Sequence, residues 1–299
     1  MIALRSKALL SSLTILALGV SLTGCGSTES AVGNEAAEED RTISIIVTES
    51  APFQEPTEIA KELLAEDGWE LEPTYVTDIV QPNHVVSEGE YDANYFQHLS
   101  YLEQFNADNA TQVEPAFSTF YMPNGFFSLK HDSVEDLPDG AEISLAVDRT
   151  NNGRGIKILA DAGLIEIDES IPVNQLSQEA ITDNPRNFQF VEIDLQSTGQ
   201  TLPDVDAAFA PTRLIAEAGY EVSETTLLLE DDTTFEGPFT VVVGVRPGDQ
   251  DSEKTRALQD AYQSEEVEAW FADYLDGAVE YTDTVNIENA AEIWSDFTS

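Results

Sequence analysis

The chain has 299 residues, more than one hydrophobic core usually organises, so two lobes or domains are expected. Its 57 acidic and 13 basic residues give a formal net charge of −44, while hydrophobic residues at 41% are enough to fill a core. Such a surface repels phosphate backbones and anionic lipids, which excludes nucleic-acid binding or lipid binding through a basic patch. The acidity indicates a salt-adapted or externally exposed protein, with an ordinary acidic protein as the alternative.

The N-terminus has the pattern of an export signal. Arg5 and Lys7 precede an apolar run over residues 13–20, and Leu22-Thr23-Gly24-Cys25 follows. The run is shorter than the roughly 20 residues that a membrane-spanning helix needs. We therefore predict a signal peptide over residues 1–24 and a flexible, polar tether over residues 25–40.

Cys25 is the single cysteine, so a disulfide within the chain is impossible. The four residues that end with it resemble the signal of bacterial lipoproteins, in which this cysteine is acylated, with palmitate among the expected chains. An unmodified cysteine in a plain signal peptide is the alternative. The prediction is an extracytoplasmic protein that a lipidated Cys25 anchors to the cell membrane.

Strand-like runs alternate with helix-like segments through the body of the chain, which predicts an α/β fold with largely parallel sheets. Gly219 is the expected stop of the third helix. The predicted strand and helix pairs are residues 42–47 with 56–66, 142–147 with 153–162, and 206–210 with 211–218.

Two strand-like runs, over residues 117–129 and 239–245, suggest two connections between lobes. Helices are expected within residues 252–274 and over residues 287–297. We predict that residues 41–128 and 246–299 form lobe 1 and that residues 129–245 form lobe 2.

Catalytic and metal-binding motifs such as HExxH, GxSxG, the Walker A loop and CxxC do not occur in the sequence, and the three histidines lack the spacing of metal ligands. We therefore expect no enzyme activity, no cofactor and no metal. Polar and aromatic residues at one strand-to-helix junction, among them Phe96, His98 and Tyr101, could line a cleft or could belong to the core.

A second candidate segment runs from Asp148 to Arg154 and links a strand to a helix, with Thr150 and Asn151 as plausible caps. Free backbone N–H groups at a helix start, together with the Arg154 guanidinium, could hold a small carboxylate. Alternatively, Arg154 pairs with one of the many acidic residues.

Several stretches together resemble the methionine-binding lipoproteins of ABC importers, of the NlpA/MetQ type. They follow in matching order over about residues 42–280, and the run from Asp92 to His98 is the most specific. The stretches are Gln81-Pro82-Asn83, Asp92 to His98 with Tyr101, Leu137 to Ala141, Thr150-Asn151 with Gly153-Arg154, Ala162-Gly163-Leu164, Asn184-Pro185, Asp204 to Ala208, and Glu217-Ala218-Gly219.

The resemblance implies a two-lobed periplasmic-binding-protein-like fold of type II, with two crossover strands and the ligand in the cleft. It implies that Arg154 holds the ligand carboxylate. It also implies that Phe96, His98 and Tyr101 line the side-chain pocket and that Thr150 and Asn151 shape the adjacent loop.

Two positions depart from the family. Ile79 replaces a usual tyrosine, and Arg213 replaces the asparagine that usually grips the amino-acid backbone. An arginine at this position needs an acid such as Asp148 or Glu217 beside it, or a ligand with another acceptor, such as an N-acyl amino acid or a short peptide.

The predicted function is a lipid-anchored solute-binding protein, acting as a monomer. It binds an amino acid, methionine or a related solute, and delivers it to an ABC permease with its ATPase. The alternatives are an extracellular enzyme that uses His98 with a nearby carboxylate, and a surface lipoprotein that acts in adhesion.

Overall fold

The computed structural model describes residues 40–230 and 232–298, with the backbone alone for residues 232–234. Residues 41–298 all belong to one compact unit. The predicted signal peptide, Cys25 and all but the last residue of the predicted tether lie outside the described residues. Among the described helices, none combines the length and apolar character that crossing a membrane requires.

The described strands and helices alternate over most of the chain. The strands are β1 (Thr42–Thr48), β2 (Glu70–Val76), β3 (Ala93–His98), β4 (Glu114–Tyr121), β5 (Asn124–Phe127), β6 (Glu142–Ala146), β7 (Glu166–Ile167), β8 (Ile181–Asp183), β9 (Gln189–Ile193), β10 (Ala207–Pro211), β11 (Thr226–Leu229), β12 (Val241–Val245) and β13 (Glu280–Tyr281). The α-helices are α1 (Ala51–Glu66), α2 (Gln81–Ser87), α3 (Leu99–Asn109), α4 (Arg149–Asp161), α5 (Thr198–Thr201), α6 (Thr212–Glu217), α7 (Val222–Thr225), α8 (Asp232–Phe239), α9 (Glu253–Tyr262), α10 (Glu265–Asp273) and α11 (Ala290–Phe297).

Two mixed sheets organise the fold. The first has the strand order β13-β4-β12-β3-β1-β2 and the second has the order β11-β5-β10-β6-β9. Strand β1 is parallel to β2 and β3, and β6 is parallel to β9 and β10. Strands β12 and β5 run antiparallel to their neighbours. The expectation of largely parallel sheets is therefore wrong near the crossings. There β5 and β12, the strands that follow each crossing, run antiparallel to the strands beside them.

The chain crosses between the sheets twice. It leaves the first sheet after β4 to form β5 of the second, and it returns from β11 through α8 to β12. This confirms the two predicted connections. The lobe boundaries after residues 128 and 245 stay a prediction, although the sheet membership of β5 and β12 favours earlier crossings.

Helix α1 begins at Ala51, five residues before the predicted start at Pro56. Proline inside a helix lacks the N–H that would bond to the carbonyl four residues earlier. Here that carbonyl belongs to Pro52, and the buried Tyr95 hydroxyl donates to it at 3.3 Å. A tertiary hydrogen bond therefore replaces the helical bond that Pro56 cannot make.

The helix ends follow local chemistry. Gly219 has a φ of +86°, so the predicted glycine stop of α6 is confirmed. Helices α9 and α10 confirm the two helices expected within residues 252–274. Helix α11 begins at Ala290 rather than at residue 287, because the Asn286 N–H donates to the Asn289 side chain at 2.9 Å and holds a turn there.

Aromatic side chains fill the core beneath the first sheet. Phe53 of α1 packs edge-on against Tyr95 and Phe120, with ring centroids 5.0 and 5.4 Å apart. Edge-to-face contacts of this kind add to the stabilisation from burying the rings. Phe53 thereby fixes the start of α1 against the sheet.

We predict that Tyr95→Phe lowers the free energy of unfolding by about 1–3 kcal/mol, because it leaves the buried Pro52 carbonyl without its donor while the ring packing stays intact. Urea unfolding measures the change. Tyr91→Phe is the matched control, since the Tyr91 hydroxyl donates to Thr74 Oγ1 at the surface at 3.0 Å. Equal losses in the two variants would contradict the role assigned to Tyr95.

Candidate functional site

A cavity lies where elements of the two sheets meet. Its volume, counted as the space that the centre of a water molecule can occupy, is about 70 Å³. This is several times the space that one water molecule requires. Phe96 of β3 and Val241 of β12 come from the first sheet, and Pro211 of β10 comes from the second. The full lining is Phe53, Ile79, Phe96, Gln97, His98, Tyr101, Met122, Asn124, Asn151, Arg154, Leu195, Gln196, Pro211, Arg213, Phe239 and Val241.

Helix α4 brings Asn151 and Arg154 to the cavity. Its N-cap is Asp148, whose carboxylate accepts from the Asn151 N–H at 3.0 Å and from the Asn151 side chain at 2.9 Å. Thr150 and Asn151 therefore lie in the first turn and are not caps, contrary to the prediction. Because the Asn151 N–H already donates to the Asp148 carboxylate, it is not available to the expected anion site on free backbone N–H groups there, and that site stays a prediction.

Gly153 lets α4 approach a neighbouring loop closely. A Cβ atom at this position would lie 1.9 Å from the Val173 carbonyl oxygen, which no side chain tolerates. The glycine therefore fixes the position of the helix turn that carries Arg154.

Arg154 forms a buried ion pair with Glu230, and the two side chains are 3% and 0% exposed. Its Nε donates to Glu230 at 2.7 Å and its Nη2 donates to the other carboxylate oxygen. Glu230 also accepts from the Tyr121 hydroxyl at 2.7 Å and from the Asn124 N–H at 2.9 Å. The Phe239 ring centroid lies 4.2 Å from the guanidinium carbon. These contacts hold Arg154 in one orientation.

Three hydrogen bonds use Nε and Nη2 of Arg154, including one from Nη2 to the Met122 carbonyl at 3.3 Å. A guanidinium has five N–H donors. In the described part of the chain Nη1 makes no hydrogen bond, so its two N–H groups are available to a bound solute.

His98 is held neutral. Its Nδ1 accepts from the Tyr101 N–H at 3.0 Å, so its Nε2 carries the hydrogen, 3.3 Å from Asn151 Oδ1. Burial and the nearby Arg154 charge lower the pKa of His98 to about 3. Within the described contacts His98 has no carboxylate partner, so the pair that the enzyme alternative requires is not formed.

Aromatic rings form one wall of the cavity. Tyr101 packs edge-on against Phe96, with centroids 5.9 Å apart, and its hydroxyl donates to the Ile79 carbonyl at 2.9 Å. Ile79 thus lines the cavity and also anchors this ring. The wall suits an apolar or thioether side chain.

Arg213 lies in the cavity wall contributed by α6. Its Nη1 donates to Ser50 Oγ at 2.9 Å and to Glu217 at 3.4 Å, and its Nη2 donates to Gln196 at 2.9 Å. Ser50 in turn donates to Glu217. Burial lowers the pKa of Arg213, and the Glu217 carboxylate opposes this shift. The sequence offered two acids, Asp148 and Glu217, as partners for Arg213. Glu217 forms the ion pair with Arg213, whereas Asp148 caps α4.

The structure brings Phe96, His98, Tyr101, Asn151, Arg154 and Arg213 together around the cavity. Thr150 is buried outside the lining, beside Asp148. Sequence reasoning missed several contributors because single apolar, amide or acidic residues in separate elements carry no motif. They are Phe53, Gln97, Met122, Asn124, Leu195, Gln196, Pro211, Phe239 and Val241 in the lining, with Glu230 behind it.

We predict that His98→Gln changes the pH dependence of stability. Because the folded pKa lies below the unfolded value of about 6.5, the unfolded chain binds the proton first and wild-type stability falls as pH decreases through this window. The stability advantage of wild type over the variant should therefore shrink between pH 7 and pH 4.5. Denaturant unfolding across this range measures it, and a constant difference would contradict the buried neutral histidine.

The sequence matches the NlpA lipoprotein family over residues 43–281. It is 29% identical over 276 residues to the methionine-binding lipoprotein MetQ of Bacillus subtilis, covering 91% of this chain and 97% of that protein. It is 30% identical to the D-methionine-binding lipoprotein MetQ of Escherichia coli K12, covering 83% of this chain and 88% of the relative.

Solved structures agree with these matches. A nutrient-binding protein from Burkholderia cenocepacia, bound to methionine, superposes with a TM-score of 0.75 at 27% identity, covering 80% of this chain and 99% of that chain. A periplasmic substrate-binding protein of an ABC transporter from Coxiella burnetii has a TM-score of 0.74 at 26% identity, covering 80% and 100%. These neighbours confirm the expected periplasmic-binding-protein-like fold. The chain belongs to the NlpA lipoprotein family.

Proposed function

We propose that this protein is the solute-binding component of an ABC importer, that it captures an amino acid of the methionine type, and that it delivers the solute to a membrane permease with its ATPase. The carrying observation is the cavity between the sheets, with the Arg154 guanidinium and the aromatic wall in one enclosure. The methionine-binding relatives support the assignment.

Arg154 is the proposed partner of the solute carboxylate. The buried Glu230 carboxylate and the Phe239 ring fix the guanidinium, so little conformational entropy is lost when a second carboxylate binds to Nη1. Arginine suits this role because its charge persists when it is buried.

Phe96, His98 and Tyr101 are proposed to enclose the solute side chain. The rings pack against one another, and His98 remains uncharged, so this region can receive a thioether or another apolar group. Sulfur–aromatic contacts add about 0.3–1.5 kcal/mol, which favours methionine only modestly over other apolar side chains. Thr150 and Asn151 support the wall through the first turn of α4.

The two lobes are proposed to close over the solute. Ser50, at the start of α1, bonds to Arg213 and Glu217 of α6, which joins elements packed on different sheets. Opening the cavity would break these contacts. The proposed lobes are residues 41–128 with 246–299 and residues 129–245, except that β5 and β12, next to the two crossings, each lie in the sheet of the opposite lobe.

Lipidation of Cys25 is proposed to tether the folded, monomeric body outside the cell. A membrane anchor raises the local concentration of the binding protein at its permease. The family consists of lipoproteins, and the sequence ahead of the body has the expected signal.

We predict that Arg154→Ala weakens binding of L-methionine or a related carboxylate at least about 25-fold, from the roughly 2 kcal/mol or more that a buried charge contact contributes. The same variant loses about 3–5 kcal/mol of stability, because Glu230 is left buried and unpaired. Calorimetric titration and urea unfolding measure the two effects.

The double variant Arg154→Met/Glu230→Gln separates binding from folding. It removes both charges, and glutamine can still accept from Tyr121 and Asn124, so stability should recover while binding stays weak. If this double variant binds the solute with wild-type affinity, Arg154 does not bind the solute carboxylate.

We predict that Cys25→Ser abolishes membrane retention, because the acylated thiol is lost. Fractionation of cells into membrane and soluble or secreted fractions should show release or an unprocessed precursor. Ser27→Ala, next to the anchor but without a thiol, is the matched control and should stay in the membrane. Retention of the Cys25 variant at the wild-type level would contradict lipidation.

A further inference from the structure

The charges around the cavity are arranged asymmetrically. Arg154 and Arg213 both line it, whereas their partners Glu230 and Glu217 do not. Each ion pair is close to neutral overall, but each presents its positive member to the solute. Among the described lining residues there is no aspartate or glutamate.

Arg213 retains donors for a solute. Its three hydrogen bonds to Ser50, Glu217 and Gln196 use three of the five N–H groups of a guanidinium. The Phe53 ring centroid lies 5.6 Å from its guanidinium carbon. Like Arg154, it is therefore held in place and still able to donate.

The amide oxygens that could receive an ammonium are largely engaged. Gln97 Oε1 accepts from Asn83 at 2.7 Å, Gln196 Oε1 accepts from Arg213, and Asn151 Oδ1 contacts the His98 ring nitrogen. An α-ammonium group in this cavity would therefore meet two guanidinium groups and no lining carboxylate.

Asn124 differs from these amides. It lines the cavity, and within the described chain its side-chain amide makes no hydrogen bond. A neutral carboxamide can accept from the N–H of a secondary amide and donate to its carbonyl oxygen, without a charge on either partner.

We propose that the preferred solute is an N-acylated amino acid, in which the carboxylate binds Arg154 and the acyl carbonyl oxygen accepts from Arg213. This inference deepens the proposed function and rests on it. Acylation removes the positive charge of the α-ammonium group, which the two arginines would repel. The acyl carbonyl oxygen also provides an acceptor for the Arg213 N–H groups that its three hydrogen bonds do not use. The solute then carries a net charge of −1, which suits a cavity in which the charged residues of the described lining are both arginines.

The test is calorimetric titration of the purified protein, freed of bound solute by unfolding and refolding, with three probes. They are N-acetyl-L-methionine, L-methionine and L-methionine methyl ester. We expect N-acetyl-L-methionine to bind at least about tenfold more tightly than L-methionine, because like charges in contact are strongly disfavoured. The ester, which has an ammonium and no carboxylate, should bind weakest.

Arg213→Gln should abolish the preference for the acylated probe, since it removes the charge and keeps an amide beside Ser50. Arg256→Gln is the matched control, because Arg256 is 62% exposed and lies outside the cavity lining; it should retain the preference. The order of the probes in wild type decides the proposal even if the Arg213 variant does not fold.

Three outcomes would contradict the inference, each in a different way. L-methionine binding as tightly as the acylated probe, or more tightly, rejects the acyl specificity and leaves the proposed function in place. No binding of either carboxylate-bearing probe rejects both. Retention of the preference in a folded Arg213→Gln variant also rejects the assignment of Arg213.

Discussion

The buried ion pair between Arg154 and Glu230 is the interaction on which the rest of the site depends. It joins α4 to the chain just after β11, and Glu230 also accepts from Tyr121 and Asn124 at the first crossing between the sheets. Burying the Glu230 carboxylate without these donors would cost a large desolvation free energy. Burying the Arg154 guanidinium without the carboxylate would leave a positive charge uncompensated. The same contacts that satisfy the folded chain therefore orient the guanidinium toward the cavity before any solute arrives.

Preorganisation extends around the cavity. His98 caps α3 with one ring nitrogen and contacts α4 with the other, so it joins the two walls as a neutral group. Arg213 donates hydrogen bonds to Ser50 and Gln196, and the Glu217 carboxylate compensates its charge. A site built from such fixed groups discriminates by charge and by hydrogen-bond type, which is how a small number of polar residues selects a solute in an otherwise apolar enclosure.

The sequence predicted the βα units, the two crossings and most of the polar lining, because hydrophobic runs, glycine stops and a long stretch resembling one family mark them. It misplaced the start of α1, since nothing near Pro56 reveals that the distant Tyr95 hydroxyl replaces a helical bond. It assigned the cap of α4 to Thr150 or Asn151, whereas the cap is Asp148, two or three residues earlier in the chain. Glu230 could not be identified among 57 acidic residues, because its role depends on a contact 76 positions away in sequence.

The central claim is that Arg154 holds a solute carboxylate while the aromatic wall encloses the side chain. A crystal structure of the protein with the solute that copurifies with it tests this claim most directly. The account predicts a carboxylate within hydrogen-bond distance of Arg154 Nη1, with the apolar part of the solute against Phe96 and Tyr101. A solute bound outside this cavity, or one whose carboxylate does not contact Arg154, would contradict it.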